Sequence, residues 1–376
     1  MKTKIFVAEP SISEADVENV SEAIRSGWIS GRGPYVEKFE REFAKWAGTK
    51  YGIATTSGTS ALHLALATLG IDRDEEVIIP TLTMGAVPFS VSYTGAKATL
   101  VDSEDYTWNM DPNEVESKIT KKTKAIVVVH LYGHPVDMDP ILETASKYDI
   151  PLIEDAAEAH GAEYKGRKVG SFGRMACFSF YANKIITCGE GGMIVTNDPD
   201  LAEKAKKLKN MAFEKDPTSK FLHKSLGYNY RLTNIQAALG LSQLGKIESF
   251  IELRRRNAKL YNELLKDLGG ISLPPEAEWA KNVYWMYSIL IDEKQFGISR
   301  DELIHALLEK YGVETRPFFV PVNRQPIYEK LYSGERYPVA EQLSLRGLNL
   351  PSGNTLTEDQ IREVVAAIKA QKKRKG

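Results

Sequence analysis

Lys184 follows an apolar, strand-like run and precedes the glycine-rich GEGG (189–192), within FSFYANKIITCGEGGM from Phe178 to Met193. Lysine is costly to bury, so a lysine in this setting is either a surface residue at a strand end or a reactive amine. Upstream, the apolar run IPLIEDAAEAHG carries Glu154, Asp155 and Glu158. A carboxylate at the C-terminal edge of a parallel strand sits where open α/β sheets hold ligands and can face a cationic ring nitrogen, although Asp155 alone could equally be a structural cap. Near the start, Ser57-Gly58-Thr59-Ser60 opens a helix with small residues. Free backbone N–H groups and the helix dipole there favour an anion such as phosphate, although the same four residues could be a simple N-cap.

The three features converge. A phosphate socket, an acid for a ring nitrogen and an amine beside a glycine-rich loop, with the Ser179 hydroxyl between the last two, together specify a pyridoxal 5'-phosphate site. In such a site the lysine forms a Schiff base with the cofactor. The glycines after Lys184 let the chain turn back close beneath it.

These residues need strands and helices to hold them. From residue 51 to about 197, EEVIIP, KATLVD, KAIVVVHLYG, IPLIEDAA, MACFSFYA and GGMIVTND alternate with helical patterns, and several are nearly continuous β-branched runs. Such runs predict a mostly parallel sheet covered on both faces, hence an α/β fold. TSALHLALATLG predicts a buried helix stopped by Gly70. The region 234–265 predicts one long helical stretch with a break near Gly245, VYWMYSILI a strand, and SRDELIHALLEKYGV a capped helix. We therefore expect a large domain over 1–245 and a smaller α+β domain over 246–376.

Composition narrows the function. At 376 residues and 43% hydrophobic content the chain can bury a substantial core, and 49 basic against 50 acidic residues give a net charge of −1. Nothing in that balance recruits nucleic acid or an anionic membrane. No apolar run reaches membrane-spanning length and the N-terminus lacks a signal-peptide core, so a cytoplasmic protein is expected. Cys177 and Cys188 match neither a metal knuckle nor a redox pair; they read as reduced thiols, and no metal site is expected. The basic KAQKKRKG at the C-terminus reads as a solvated helix end. His63 reads as a packed core residue, His130 and His134 as structural, and His160 is close enough in sequence to assist Asp155.

The segments TSGTSALHLAL, EDAAEAHGAEYKGRKVGSFGRMACFSFYANKIITCGEGGMIVTND and LGYNYRLTNIQAALGLSQL, with SGWISGRGPYVEKFEREFAKWAG near the start, resemble the DegT/DnrJ/EryC1/StrS nucleotide-sugar aminotransferases, of the fold-type I pyridoxal phosphate class. The resemblance spans nearly the whole chain. It implies that Lys184 is the Schiff-base lysine, Asp155 the partner of the ring nitrogen, and Glu158 a neighbour of the ring's 3-hydroxyl. It implies phosphate contacts from Gly58, Thr59, Ser60 and Ser179. A further contact, from Asn229, comes across a homodimer with shared active sites, and Arg231 lies close by. Met84 stands where relatives usually stack an aromatic ring on the cofactor. Asn323 stands where they often have histidine, and Val320 where close relatives can have another; the resemblance implies that this loop lies toward the sugar nucleotide, so Asn323 is an expected substrate residue. Trp28, Ser30 and Arg316 are candidate sugar-nucleotide contacts by position, with a structural role as the alternative for each.

The activity implied is transfer of an amino group from glutamate to C4 of a nucleotide-linked 4-keto-6-deoxy sugar. A GDP-linked acceptor comes first, and a UDP- or dTDP-linked one is the alternative. Lys184 argues against the related sugar 3-dehydratases, which carry histidine at that position. A non-catalytic regulator or scaffold is the reading from another class, and Lys184, Asp155 and Ser179 argue against it.

Overall fold

The computed structural model describes residues 4–373, so the last three residues of the basic C-terminal run lie outside the described residues. Seven strands form the large sheet: β1 (Tyr51–Thr55), β2 (Glu76–Pro80), β3 (Lys97–Val101), β4 (Thr123–Val129), β5 (Leu152–Asp155), β6 (Met175–Ser179) and β7 (Gly192–Thr196). Their order is β1-β7-β6-β5-β4-β2-β3. The pairs from β3 through β6 are parallel, and only β7 runs against its neighbours β6 and β1. The β-branched runs of β2 and β4 are buried on both faces, as expected for such a sheet. The fold is therefore α/β with a mostly parallel large sheet.

Helix Gly58–Leu69 starts at Ser57, whose hydroxyl accepts the N–H of Ser60, and ends at Gly70 in the left-handed conformation. The helix packs against β6 and β7. Further on, a helix over Asn234–Leu244 begins at a Thr233–Gln236 capping box. It gives way at Gly245 and Lys246, and a second helix runs over Ile247–Leu265. The four-stranded second sheet is antiparallel: β8 (Ile271–Ser272), β9 (Tyr287–Ile291), β11 (Gly347–Leu350) and β10 (Arg316–Pro317), in that order. Its apolar face joins helices Ile247–Leu265 and Glu358–Gln371 in a second core around Tyr261, Tyr287, Leu303 and Ile361. Ser299 and Glu302 form the expected capping box of helix Arg300–Ala306.

Strand alternation sends Glu154 to the face opposite Asp155. There Glu154 is fully buried and its carboxylate accepts the N–H groups of Gly170 (2.6 Å), Phe172 (2.7 Å) and Gly173 (2.7 Å) and His130 Nε2–H (3.2 Å). His130 Nδ1 accepts from Val136 N–H, which fixes this tautomer. Glu154 thus fastens the turn that leads into β6, the strand before Lys184. Burial raises its pKa, but His130 and the backbone donors outweigh that and hold it below the ordinary carboxylate range.

A depressed folded-state value gives stability that is present above the unfolded carboxylate range and lost as pH falls through the folded value. Glu154→Ala should lower stability by on the order of 3 kcal/mol at neutral pH, because several buried donors lose their acceptor. Urea unfolding checks this, and an unchanged midpoint would show that the turn is held by something else.

Candidate active site

The loops after β4, β5 and β6 open on the same edge of the large sheet, as parallel strands require. The β4 loop supplies Tyr132, the β5 loop Asp155 and Glu158, and the β6 loop Lys184. Helix Gly58–Leu69 points its N-terminus at the same place from the β1 side. A cavity of about 390 Å³ lies there, and its lining includes Gly58, Thr59, Met84, Asp155, Glu158, Ser179, Lys184 and Arg316. That volume is within the range of small-molecule sites.

The Lys184 N–H donates to the Tyr181 carbonyl at 2.9 Å, closing a turn. Its side chain brings Nζ to 3.6 Å from the centroid of the Trp285 ring, within cation–π range. Asp155 is buried, with Oδ1 accepting the Ala157 N–H at 3.0 Å. Glu158, also buried, accepts the Tyr132 N–H on Oε2 at 2.8 Å. Tyr132 adopts φ 53, a left-handed conformation costly for an aromatic residue, and its hydroxyl accepts the N–H of Phe319 at 3.0 Å. The strain is held by packing against Phe318, Phe319 and Trp285.

Burial depresses the pKa of Lys184, and Arg254 and Arg316 push the same way against the opposing pull of Glu158 and Asp155. Burial raises Asp155, opposed by the Ala157 N–H and Lys184. It also raises Glu158, to about 7, with Lys184 and the Tyr132 N–H opposing and Asp155 adding to the rise. Burial thus favours the neutral form of the amine and of both carboxyl groups, which weakens the usual preference for a fixed ammonium beside fixed carboxylates.

The cavity's other end suits a phosphate. Among the described residues the N–H groups of Gly58 and Thr59 have no protein acceptor, since Ser57 satisfies Ser60 and Ala61. A Cβ on Gly58 would come within 2.8 Å of the Ser179 Cβ, so only glycine allows the helix start to approach that strand. Gly192 plays the matching part beneath, where a Cβ would stand 2.2 Å from the Ser57 carbonyl oxygen. Free anion donors, a buried acid and an amine lining one cavity fit pyridoxal phosphate.

Other expected residues lie elsewhere. The Ser60 hydroxyl turns inward to Thr56 (2.8 Å) and Ser57 (2.6 Å), so Ser60 shapes the helix start without lining the cavity. Asn323 is buried outside the cavity, and its amide donates to Glu341 at 3.0 Å. Trp28 and Arg231 line a separate cavity of about 760 Å³ with Arg32, Lys206 and Asn210. Ser30 and Asn229 are exposed and line neither. His160 packs among Phe43, Phe178 and Phe180 with no hydrogen bond to Asp155. His63 is buried with Nδ1 3.0 Å from the Tyr230 hydroxyl, and His134 is tied to Pro135 and Ala277. Sequence reading missed Trp285, Asn183, Tyr181 and Phe319, which line the cavity. Only VYWMYSILI hinted at Trp285, and nothing in it pointed to Lys184.

The raised value of Glu158 makes its contribution to stability full below the ordinary carboxylate range and lost as pH rises through about 7. Glu158→Gln removes that dependence. Relative to the parent, the variant should gain about 1–3 kcal/mol of stability between about pH 5 and about pH 8. Urea unfolding at both values reads the difference, and an equal difference at the two would contradict it.

Similarity to known proteins agrees with this geometry. The chain is 44% identical over 357 residues to the GDP-perosamine synthase of Escherichia coli O157:H7, covering 95% of each chain. Among solved structures, DesV of S. venezuelae in complex with a ketimine intermediate matches with a TM-score of 0.89 and 36% identity, covering 96% of this chain and 95% of that one. Spr1654 of Streptococcus pneumoniae in its PLP form matches with a TM-score of 0.91 and 26% identity, covering 99% of both chains. Residues 10–369 match the description of one family. The chain belongs to the DegT/DnrJ/EryC1/StrS aminotransferase family.

Proposed function

We propose that this aminotransferase uses pyridoxal 5'-phosphate to move the amino group of glutamate to C4 of a GDP-linked 4-keto-6-deoxy sugar, with GDP-perosamine as product. The observation that carries the reading is the Lys184 amine in one cavity with Asp155 and Glu158, opposite unpaired N–H groups at a helix start. The 44% identity to a GDP-perosamine synthase supports the choice of acceptor.

The residues take distinct roles. Gly58 and Thr59 N–H groups and the Ser179 hydroxyl would hold the phosphate, with the dipole of helix Gly58–Leu69 assisting. Asp155 would hold the proton on the ring nitrogen, and Glu158 would lie beside the ring, fixed by Tyr132. When bound, pyridoxal phosphate supplies an electron sink and carries the amino group between two half-reactions. Lys184 Nζ is the base: desolvation favours its neutral form, in which it takes a proton from the α-carbon of glutamate and returns protons in both halves. In the second half the same atom delivers a proton to C4 of the sugar. Met84, more than half exposed, would cover the ring as a softer partner than an aromatic residue. Arg316, on the cavity wall, is placed to meet an anionic part of a substrate.

The same proposal takes the working unit as a homodimer divided at 245/246 into a cofactor-binding part and a smaller C-terminal part. Asn229 and Arg231 stand outside their own chain's cavity, and the segment before them exposes Phe221, Leu222 and Leu226, so a second copy could receive this segment. Trp28 and Ser30, also outside that cavity, would meet substrate only across the same interface. A cytoplasmic setting is supported by two free, buried thiols.

The test supplies glutamate and, in turn, GDP-, UDP- and dTDP-linked 4-keto-6-deoxy sugars, with 2-oxoglutarate and the amino sugar nucleotide followed by mass spectrometry. We expect the GDP-linked sugar to be the best acceptor and Lys184→Ala to abolish turnover. An unchanged rate in Lys184→Ala, or no 2-oxoglutarate with any keto sugar, would overturn the assignment.

A further inference from the structure

Arg254 lies on helix Ile247–Leu265 and is 2% exposed, and among the described residues no carboxylate pairs with it. A buried guanidinium without a counter-ion is rare, because its five donors and its charge must be satisfied by neutral dipoles. Here Nη1–H donates to the Trp285 carbonyl at 2.6 Å, and Nε–H to Asn354 Oδ1 at 2.7 Å. Each partner then continues to the lysine loop. Trp285 Nε1–H donates to the Asn183 carbonyl at 3.0 Å, and Asn354 Nδ2–H to the Ile185 carbonyl at 2.9 Å.

The two peptide carbonyls flanking Lys184 are thus held by donors that both lead back to one guanidinium. The indole in this network is also the ring that Lys184 Nζ faces at 3.6 Å. Three separate parts of the C-terminal half, helix Ile247–Leu265, the residues before β9 and the loop after β11, meet at this point. We infer that Arg254 is a positioning residue for Lys184, fixing the lysine loop through Trp285 and Asn354 and placing an uncompensated positive charge behind the amine. This rests on the reading of Lys184 as the reactive amine.

The electrostatics run in the same direction. Burial moves Arg254 down to about 9, so the guanidinium remains charged at neutral pH. Four charged groups act on Lys184: Glu158 and Asp155 from the β5 loop favour its protonated form, while Arg316 from β10 and Arg254 disfavour it. His160, on the same side, is itself held neutral by burial, with Lys184 and Arg254 adding to the effect. A lysine at this position could replace the charge of Arg254 but not its fork, so the pair of tethers explains arginine specifically.

The test uses Arg254→Met and Asn354→Ala in the full-length chain, with native folding verified by circular dichroism and thermal unfolding. Trace acylation of Lys184 across pH in cofactor-free protein, read by mass spectrometry of its peptide, gives the titration midpoint of the amine. Absorbance after addition of pyridoxal phosphate gives the rate at which that amine condenses with it. Arg254→Met should raise the midpoint by several tenths of a pH unit or more. Asn354→Ala keeps the charge and frees the Ile185 carbonyl, so it should leave the midpoint in place and slow condensation several-fold.

Folded variants with the parent's midpoint and condensation rate would overturn the inference, since a merely structural arginine changes neither. If Arg254→Met does not fold, Asn354→Ala decides alone, and an unchanged condensation rate overturns it. Failure of pyridoxal phosphate to condense with the parent protein would instead sink the proposed function, while a raised midpoint in Arg254→Met would still support the placement of the charge.

Discussion

An amine cannot be withdrawn from water next to two carboxylates without altering all three, and much of this protein is organised around that fact. Lys184 loses solvation and faces an indole, while Asp155 and Glu158 lose solvation beside it. The amine moves down and the carboxylates move up, because burial disfavours the charged form of each. The cost is met by geometry that cannot easily relax: Ala157 N–H fixes Asp155, and the strained backbone of Tyr132 fixes Glu158.

The parallel sheet explains why these groups meet. Successive loops at the C-terminal edge of β4, β5 and β6 are neighbours because the strands are, so residues far apart in sequence share one cavity. The opposite face of β5 uses its own acid differently. Glu154 faces inward and ties down the turn before β6, so of two adjacent carboxylates on one strand one braces a turn and the other lines the cavity. The C-terminal half completes the arrangement by bracing the lysine loop from behind through Trp285, Asn354 and Arg254.

What could be read from the sequence follows from how local each signal is. Lys184, Asp155 and the Ser57–Ser60 helix start were legible because a strand end, a glycine-rich turn and an N-cap each leave a pattern within a few residues. The continuous β-branched runs revealed the sheet for the same reason. Trp285 and Arg254 left no comparable trace. A tryptophan before a strand and an arginine in an amphipathic helix look ordinary until the fold brings them behind Lys184. Ser60 shows the opposite limit: its type suits a phosphate, yet its hydroxyl is taken by Thr56 and Ser57. Asn323 is likewise bonded to Glu341, and Trp28 and Arg231 line a different cavity of the same chain, so a role for them in the site depends on the proposed second copy.

The role of Lys184 is decided by where pyridoxal phosphate attaches. The protein would be incubated with the cofactor, reduced with borohydride to make the carbon–nitrogen bond permanent, digested and mapped by mass spectrometry. A phosphopyridoxyl group is expected on the peptide containing Lys184, and none there in Lys184→Ala. Attachment confined to other lysines, or none at all, would mean that this buried amine is not the reactive one.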